Sequence, residues 1–249
     1  MRASRLVLVA AAATTVVAAS AFAEDLTVVF KTTGAGRVGT STAYYSAEKM
    51  RMSDGTADSI IEYGPGRIIT INHTKKEYSE ITMAEMEAAR ARMAAQMEAQ
   101  MAAMPPAMRE MMGGVAESVT VTKGAVRKVA GYDCQDYVLA VGTSNTMHVC
   151  ASTAVAPPAA KVDYRKYGSL AGMASSPMSK SVAKLADEMK KIQGFTLAES
   201  SSMKMMGQSV QSSREATEVK KGAIAASAFD VAAIAPGYKK VPHPLTRMK

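Results

Sequence analysis

Polar and apolar residues alternate along the first half of the chain. Leu26, Val28 and Phe30 alternate with Thr27, Val29 and Lys31, the period of a strand with one buried face. Gly34-Ala35-Gly36 breaks this run, and residues 38–45 resume it with β-favouring side chains. The same reading predicts strands over residues 48–53, 59–63, 66–72 and 77–81. Turns are predicted at Ser53-Asp54-Gly55, Gly64-Pro65-Gly66 and His73-Thr74-Lys75-Lys76. Short strands at such spacing indicate an antiparallel sheet.

At Thr82 the period changes. Thr82 and Glu85 form a capping box, with Ile81 and Met86 placed as a hydrophobic staple around it. A helix is predicted from there to about Met104. Met83, Met86, Met93, Met97, Met101 and Met104 recur at helical spacing, with Arg90 interrupting the series. Pro105-Pro106 ends it and starts a shorter helix with Met108, Met111 and Met112, closed by Gly113-Gly114. Strands return over 117–122, 125–130 and 133–141, and again over 146–150. Helices are predicted over 161–173 and 180–192, two last strands near 195–206 and 209–219, and a packed irregular tail over 225–238. No internal repeat and no second domain is evident.

The start of the chain sets the compartment. Arg2 and Arg5 precede an apolar run, and Ala21-Phe22-Ala23 offers the small-x-small pattern of a signal-peptide cut. Residues 1–23 are read as a cleaved leader and 24–249 as one domain released to the periplasm. No cysteine stands at the cut to take a lipid anchor, and no second apolar segment is long enough to span a membrane. The two leader arginines leave +6 of the chain's formal charge of +8. The basic residues are scattered with no dense block; a nucleic-acid site needs stacking aromatics beside its basic groups, and the compartment argues against one. A mildly basic surface allows peripheral contact with anionic head groups. A monomer is expected.

Two cysteines, Cys134 and Cys150, suit one disulfide in an oxidising compartment. A hairpin centred on Gly142 would set Cys134 opposite Cys150 and Asp136 opposite His148. Tyr137, Leu139, Met147 and Val149 would then share the other face. A four-residue turn over 142–145 would shift that register.

Candidate chemistry is sparse. Gly34-x-Gly36-x-x-Gly39 matches a dinucleotide-binding fingerprint by letters, but residues 40–45 read as a strand and not as the helix that would hold a pyrophosphate. No catalytic motif or closely spaced metal-ligand set is present, so no enzyme, cofactor or metal is expected. The 20 methionines are the unusual feature. Methionine fills irregular cores, and the same adaptable thioether suits a surface for varied apolar ligands. The sulfurs of Met97, Met101, Met104 and Met108, with a second cluster at Met203, Met205 and Met206, also allow a Cu(I) site.

The order of motifs resembles an uncharacterised exported bacterial family, a domain of unknown function related to the outer-membrane lipoprotein-sorting carrier. The resemblance is carried by Lys49-Met50-Arg51-Met52, residues 75–82, Met104-Pro105-Pro106 and Ala130-Gly131-Tyr132-Asp133-Cys134. Residues 218–222, Phe229 and Pro236-Gly237-Tyr238 complete it. It covers most of residues 25–241 through short motifs. The resemblance implies a half-open, strongly curved sheet whose apolar hollow is covered by helices, and in the carriers that hollow receives acyl chains. This chain departs from similar sequences in having Met147-His148-Val149-Cys150 where they often place a tryptophan.

The expectation is therefore an α+β fold, a curved antiparallel sheet forming a half-open barrel under a methionine-rich helical lid. Its expected function is non-enzymatic binding of an acyl chain, lipid or lipidated protein. Met93, Met97, Met101, Met104 and Met108 would line the site, with Leu26, Val28 and Phe30 opposite. The alternatives are an envelope structural or interaction protein with a filled core, and a periplasmic Cu(I) binder.

Overall fold

A computed structural model describes residues 24–34, 37–105, 118–141, 145–158, 187–205 and 208–247. The described chain builds one large, open, curved sheet of 12 strands, ordered β12-β6-β5-β4-β3-β2-β1-β11-β10-β9-β8-β7. Two antiparallel meanders make it. The first runs through β1 (Leu26–Gly34), β2 (Arg37–Tyr45), β3 (Lys49–Ser53), β4 (Ala57–Glu62), β5 (Arg67–Asn72) and β6 (Glu77–Thr82). The second runs through β7 (Val119–Val129), β8 (Tyr132–Val141), β9 (Asn145–Ser152), β10 (Phe195–Met205) and β11 (Gln208–Lys221). β1 and β11 pair antiparallel and weld the two halves. The short β12 (Lys239–Lys240) lies parallel to β6 and covers that edge.

The glycine-rich segment joins two strands of a hairpin: Gly34 pairs with Arg37 and the chain continues as β2. The dinucleotide reading therefore has no helix to stand on.

Among the described residues, three register shifts bend the sheet, at Val29/Phe30, at Thr196/Ala198 and at Lys123/Val126. An extra residue on one strand of a pair increases local twist and curl. The shift in β7 also explains why one strand stands where the sequence predicts two: the chain bulges at Gly124-Ala125 and goes on pairing with β8. Four strand spacings separate β7 from β11, about 19 Å in a flat sheet. Arg127 of β7 nonetheless reaches Glu215 of β11 at 3.1 Å and Asp136 of β8 at 3.1 Å. That half of the sheet is rolled.

Helix α1 (Met83–Ala102) leaves β6 through the predicted capping box. The Thr82 backbone N–H and hydroxyl donate to Glu85 Oε2, and the Glu85 N–H donates to Thr82 Oγ1. Met86 and Ala89 are buried, whereas most described side chains beyond them are exposed. Of the helices predicted over 161–173 and 180–192, the described residues hold a helical turn at 187–189. The rest of those two, and the short helix after Pro105, lie outside the described residues.

The tail is ordered. A 3-10 turn (Ala226–Phe229), α2 (Val231–Ile234) and α3 (Pro244–Arg247) follow β11. Ala235, with Val231, Ile234 and Tyr238 beside it, packs on Ile60, Ile69 and Ile71. These isoleucines sit on the opposite side of β4 and β5 from Ile61 and Ile68, which join the main core. The first meander is thus apolar on both faces, and the tail is the second cover.

Candidate functional site

The main core gathers Leu26, Val28 and Phe30 with Ala43, Tyr45, Met50 and Ile61. The three β1 side chains are sealed, at 0%, 0% and 2% exposure. Their methionine neighbours are Met50 and Met52 of β3, and among the described residues no α1 side chain belongs to that cluster. Met93 and Met104 are half-buried, while Met108 and the side chains of Met97 and Met101 lie outside the described residues. Met206 and the side chains of Met203 and Met205 lie outside them too. The structure thus does not bring the methionine stripe together with Leu26, Val28 and Phe30 among the residues described.

Cys134 and Cys150 form the disulfide, with Cα atoms 5.4 Å apart. The predicted register is corrected by two residues. Val141 pairs with Asn145, so Asp136 faces Cys150, and Val138 faces His148. The ladder is therefore centred on position 143 and not on Gly142. The cysteines meet diagonally, because Gln135 faces Ala151. An even shift keeps every side chain on its face, so Tyr137, Leu139, Met147 and Val149 share one as predicted, where they pack with Ile192 and Met189. Asp136 is held by Arg127 and not by His148.

A cavity of about 610 Å³ opens at the far end of β1. Its wall includes Thr32 and Gly34 of β1, Gly39 of β2, Met147 of β9, and Ser201 and Ser212 of β10 and β11, with Val38 beside them. Met147 belongs both to this wall and to the apolar cluster on the β8–β9 hairpin. The cavity therefore adjoins buried hydrocarbon while its rim carries hydroxyls. The volume falls in the range of small-molecule sites.

Three charged residues face it, namely Arg214, Glu199 and Asp54. The Asp54 carboxylate is engaged: it accepts from the Thr56 hydroxyl at 2.7 Å and from the Thr56 and Ala57 backbone N–H groups at 2.8 Å. The Thr56 hydroxyl, more than the backbone donors, holds its pKa below the ordinary aspartate value. Arg214 is placed over the Phe30 ring, its Cζ 3.7 Å from the centroid. Its closest carboxylate oxygen, on Glu199, is 3.9 Å away, too long for a hydrogen bond. Sequence reasoning missed this arginine. The pairing of Thr32 with Arg214 that brings it beside Phe30 depends on the bulge at Val29/Phe30.

A second polar cluster lies under the tail. The fully buried Asp58 carboxylate accepts from Arg51 Nε and Nη2 at 3.2 Å and lies 2.7 Å from His73 Nε2. Arg51 Nη1 donates to the Ala228 carbonyl at 2.9 Å, and His73 Nδ1 lies 3.1 Å from the Tyr238 hydroxyl. Next to it a row of alternating charge crosses the sheet, Lys49–Glu62–Arg67–Glu80–Lys240. Both couple the tail to the sheet.

No helix among the described residues is long and apolar enough to cross a membrane, and among them no group of three or more His, Cys, Asp and Glu side chains is arranged to hold a metal ion. A family model described as a domain of unknown function (DUF4412) matches residues 16–234. No protein of curated function matches the chain. Among solved structures, an uncharacterized conserved protein from Thermus thermophilus is similar at 7% identity and a TM-score of 0.44, over 89% of this chain and 91% of that one. MucB, solved in the MucA/MucB complex of Pseudomonas aeruginosa, is similar at 9% identity and a TM-score of 0.39. That match covers 84% of this chain and 56% of its counterpart, so this chain spans a little over half of that protein. Neither likeness assigns a ligand or a partner.

Proposed function

From a chain that belongs to the DUF4412 family, whose name leaves the activity open, we propose a periplasmic, non-enzymatic binding protein for a hydrophobic ligand such as an acyl chain or lipid. The observation that carries this reading is the cavity of about 610 Å³ set against the apolar clusters of an open, curved sheet. Apolar surface removed from water gives roughly 25 cal/mol per Å², so a chain laid beside Met147 gains affinity without a directional contact. Helix α1 (Met83–Ala102), with its methionines, would serve as the cover over the half-open barrel, because unbranched thioethers adapt to varied apolar shapes. The protein would be exported through a cleaved leader at residues 1–23 and would be kin to the lipoprotein-sorting carrier, which its motifs resemble. The disulfide accords with an oxidising compartment.

Native mass spectrometry of protein recovered from its own compartment, with titration of a fluorescent fatty acid, tests the reading. Co-purified lipid or saturable binding that weakens in Met147→Asp is expected. Protein that never carries lipid and binds no fatty acid overturns it.

A second reading, an envelope interaction protein with a filled core, is favoured by the complete burial of Leu26, Val28 and Phe30. That protein would show no lipid in either measurement.

A further inference from the structure

Arg214 is the sole cation among the described residues that line the cavity. Its side chain is 23% exposed, and its Nε is buried without a hydrogen-bond partner. A guanidinium carries five N–H donors in one plane and is never deprotonated in a protein. The Phe30 ring lies against it, with Cζ 3.7 Å from the centroid, and of its donors the Nε is left buried without an acceptor. A buried donor without an acceptor costs free energy, so the guanidinium is under-satisfied, and the exposed part of its side chain is where an acceptor can approach.

The neighbouring acids do not supply that acceptor. Asp54 is committed to its own turn by three donors. Glu199 stands 3.9 Å off and is itself more than a third exposed, so a ligand oxygen entering the cavity can take the position that its carboxylate does not reach. The surrounding groups are Ser201 and Ser212, whose hydroxyls lie 2.7 Å apart, together with Thr32. One of the two serines donates to the other, so one keeps its hydrogen for an oxyanion, and the Thr32 hydroxyl can supply another. Met147 supplies hydrocarbon on the same wall.

We propose that the cavity binds an amphiphile with an anionic head group, a carboxylate or a phosphate monoester, and that Arg214 receives the head while the chain runs toward Met147. This deepens the binding reading above and rests on it. Glu199 acts as the competing acid, because its carboxylate 3.9 Å from the guanidinium lowers the positive potential that an anionic head group meets.

The test uses the full mature chain, a dansylated fatty acid, and its uncharged methyl ester. Lysophosphatidate and monoacylglycerol with the same acyl chain serve as competitors. Removing a charge-assisted hydrogen bond lowers affinity by roughly tenfold or more. Arg214→Gln should therefore weaken the acid by at least about tenfold and leave the ester within about twofold, with Arg214→Lys in between. Glu199→Gln, which keeps the cation, should tighten anion binding, and it carries the test if Arg214→Gln does not fold. Stronger displacement by the fatty acid than by lysophosphatidate assigns a carboxylate head, and the reverse assigns a phosphate; both support the inference. Equal binding of acid and ester, unchanged in the Arg214 variants, overturns it and leaves the apolar-ligand reading standing. Absence of binding by every probe overturns both.

Discussion

At the scale of single residues, the buried Asp58 carboxylate shows how charge is made tolerable inside a sheet. Its side chain has no exposure and answers to Arg51 from the neighbouring strand and His73 from the turn after β5. An unpaired charge in that position would be expensive, and each partner is in turn tied to the tail through Ala228 or Tyr238. Asp58→Asn preserves the shape and leaves the guanidinium without its counter-ion. It should cost about 3 kcal/mol or more, read from urea denaturation. Retention of wild-type stability would show that the Arg51 contacts contribute nothing. Glu62 gives a prediction in pH. Burial alone would raise its pKa, but hydrogen bonds from Lys49 and Arg67, with the charges behind them, hold it below the ordinary value of 4.5. A depressed folded-state pKa means stability that is complete above the unfolded value and lost as pH falls through the folded one. Wild type should therefore lose stability below about pH 4.5, and Glu62→Gln should flatten that part of the curve. An identical acid limb in both proteins would show that Glu62 does not contribute to it.

At the scale of elements, the capping box is the clearest case of local chemistry fixing a boundary. Thr82 and Glu85 satisfy one another's backbone donors where β6 becomes α1, and a β-strand turns into a helix without a loop. Thr82→Ala should cost about 1 kcal/mol, and hydrogen exchange should quicken first in residues 83–89. Uniform quickening across the sheet would instead mean that the helix and β6 open together. Strand positions were legible for the same reason: period-two alternation and Gly or Pro turns depend on neighbours in sequence, and β2, β3 and β5 begin within a residue of their predicted starts. The hairpin register was not legible. A ladder centred on position 142 and one centred on 143 keep the same faces, and only the pairing itself distinguishes direct from diagonal cysteines. Nor does sequence show a bulge: β7 reads as two strands because Gly124-Ala125 interrupts a pattern that the backbone continues through. The cavity was least legible of all. Thr32, Ser201, Ser212 and Arg214 are separated by up to 182 positions, and only the pairing of the first and last long strands unites them. Gly194 shows the same dependence. Its φ of +97° and the position of Ser152 O, where a Cβ would fall, leave room for no other residue at the entry to β10.

At the scale of the whole molecule, the decisive feature is a sheet that begins and ends at its own middle. β1 and β11 pair along their length, so the first and last long strands sit together and the free strands are pushed to the two edges. One edge is closed by β12, which the tail delivers after crossing the face that carries Ile60, Ile69 and Ile71. That face is covered by Val231, Ile234, Ala235 and Tyr238, and the polar anchors at Asp58 and Glu80 fix the crossing. Ending the chain at Ile224 would expose three isoleucines and an unpaired β6 edge at once. Each fully exposed isoleucine forfeits about 1.5–3 kcal/mol of burial, and an open apolar edge is a template for further pairing. The truncated chain should therefore bind a hydrophobic dye and self-associate in sedimentation, while retaining the Cys134–Cys150 hairpin, which lies in the other meander. A monomeric, dye-negative truncation would mean that the sheet is closed by something other than its tail. An intact disulfide with loss of β4–β6 protection would locate the unfolding in the half that the tail covers.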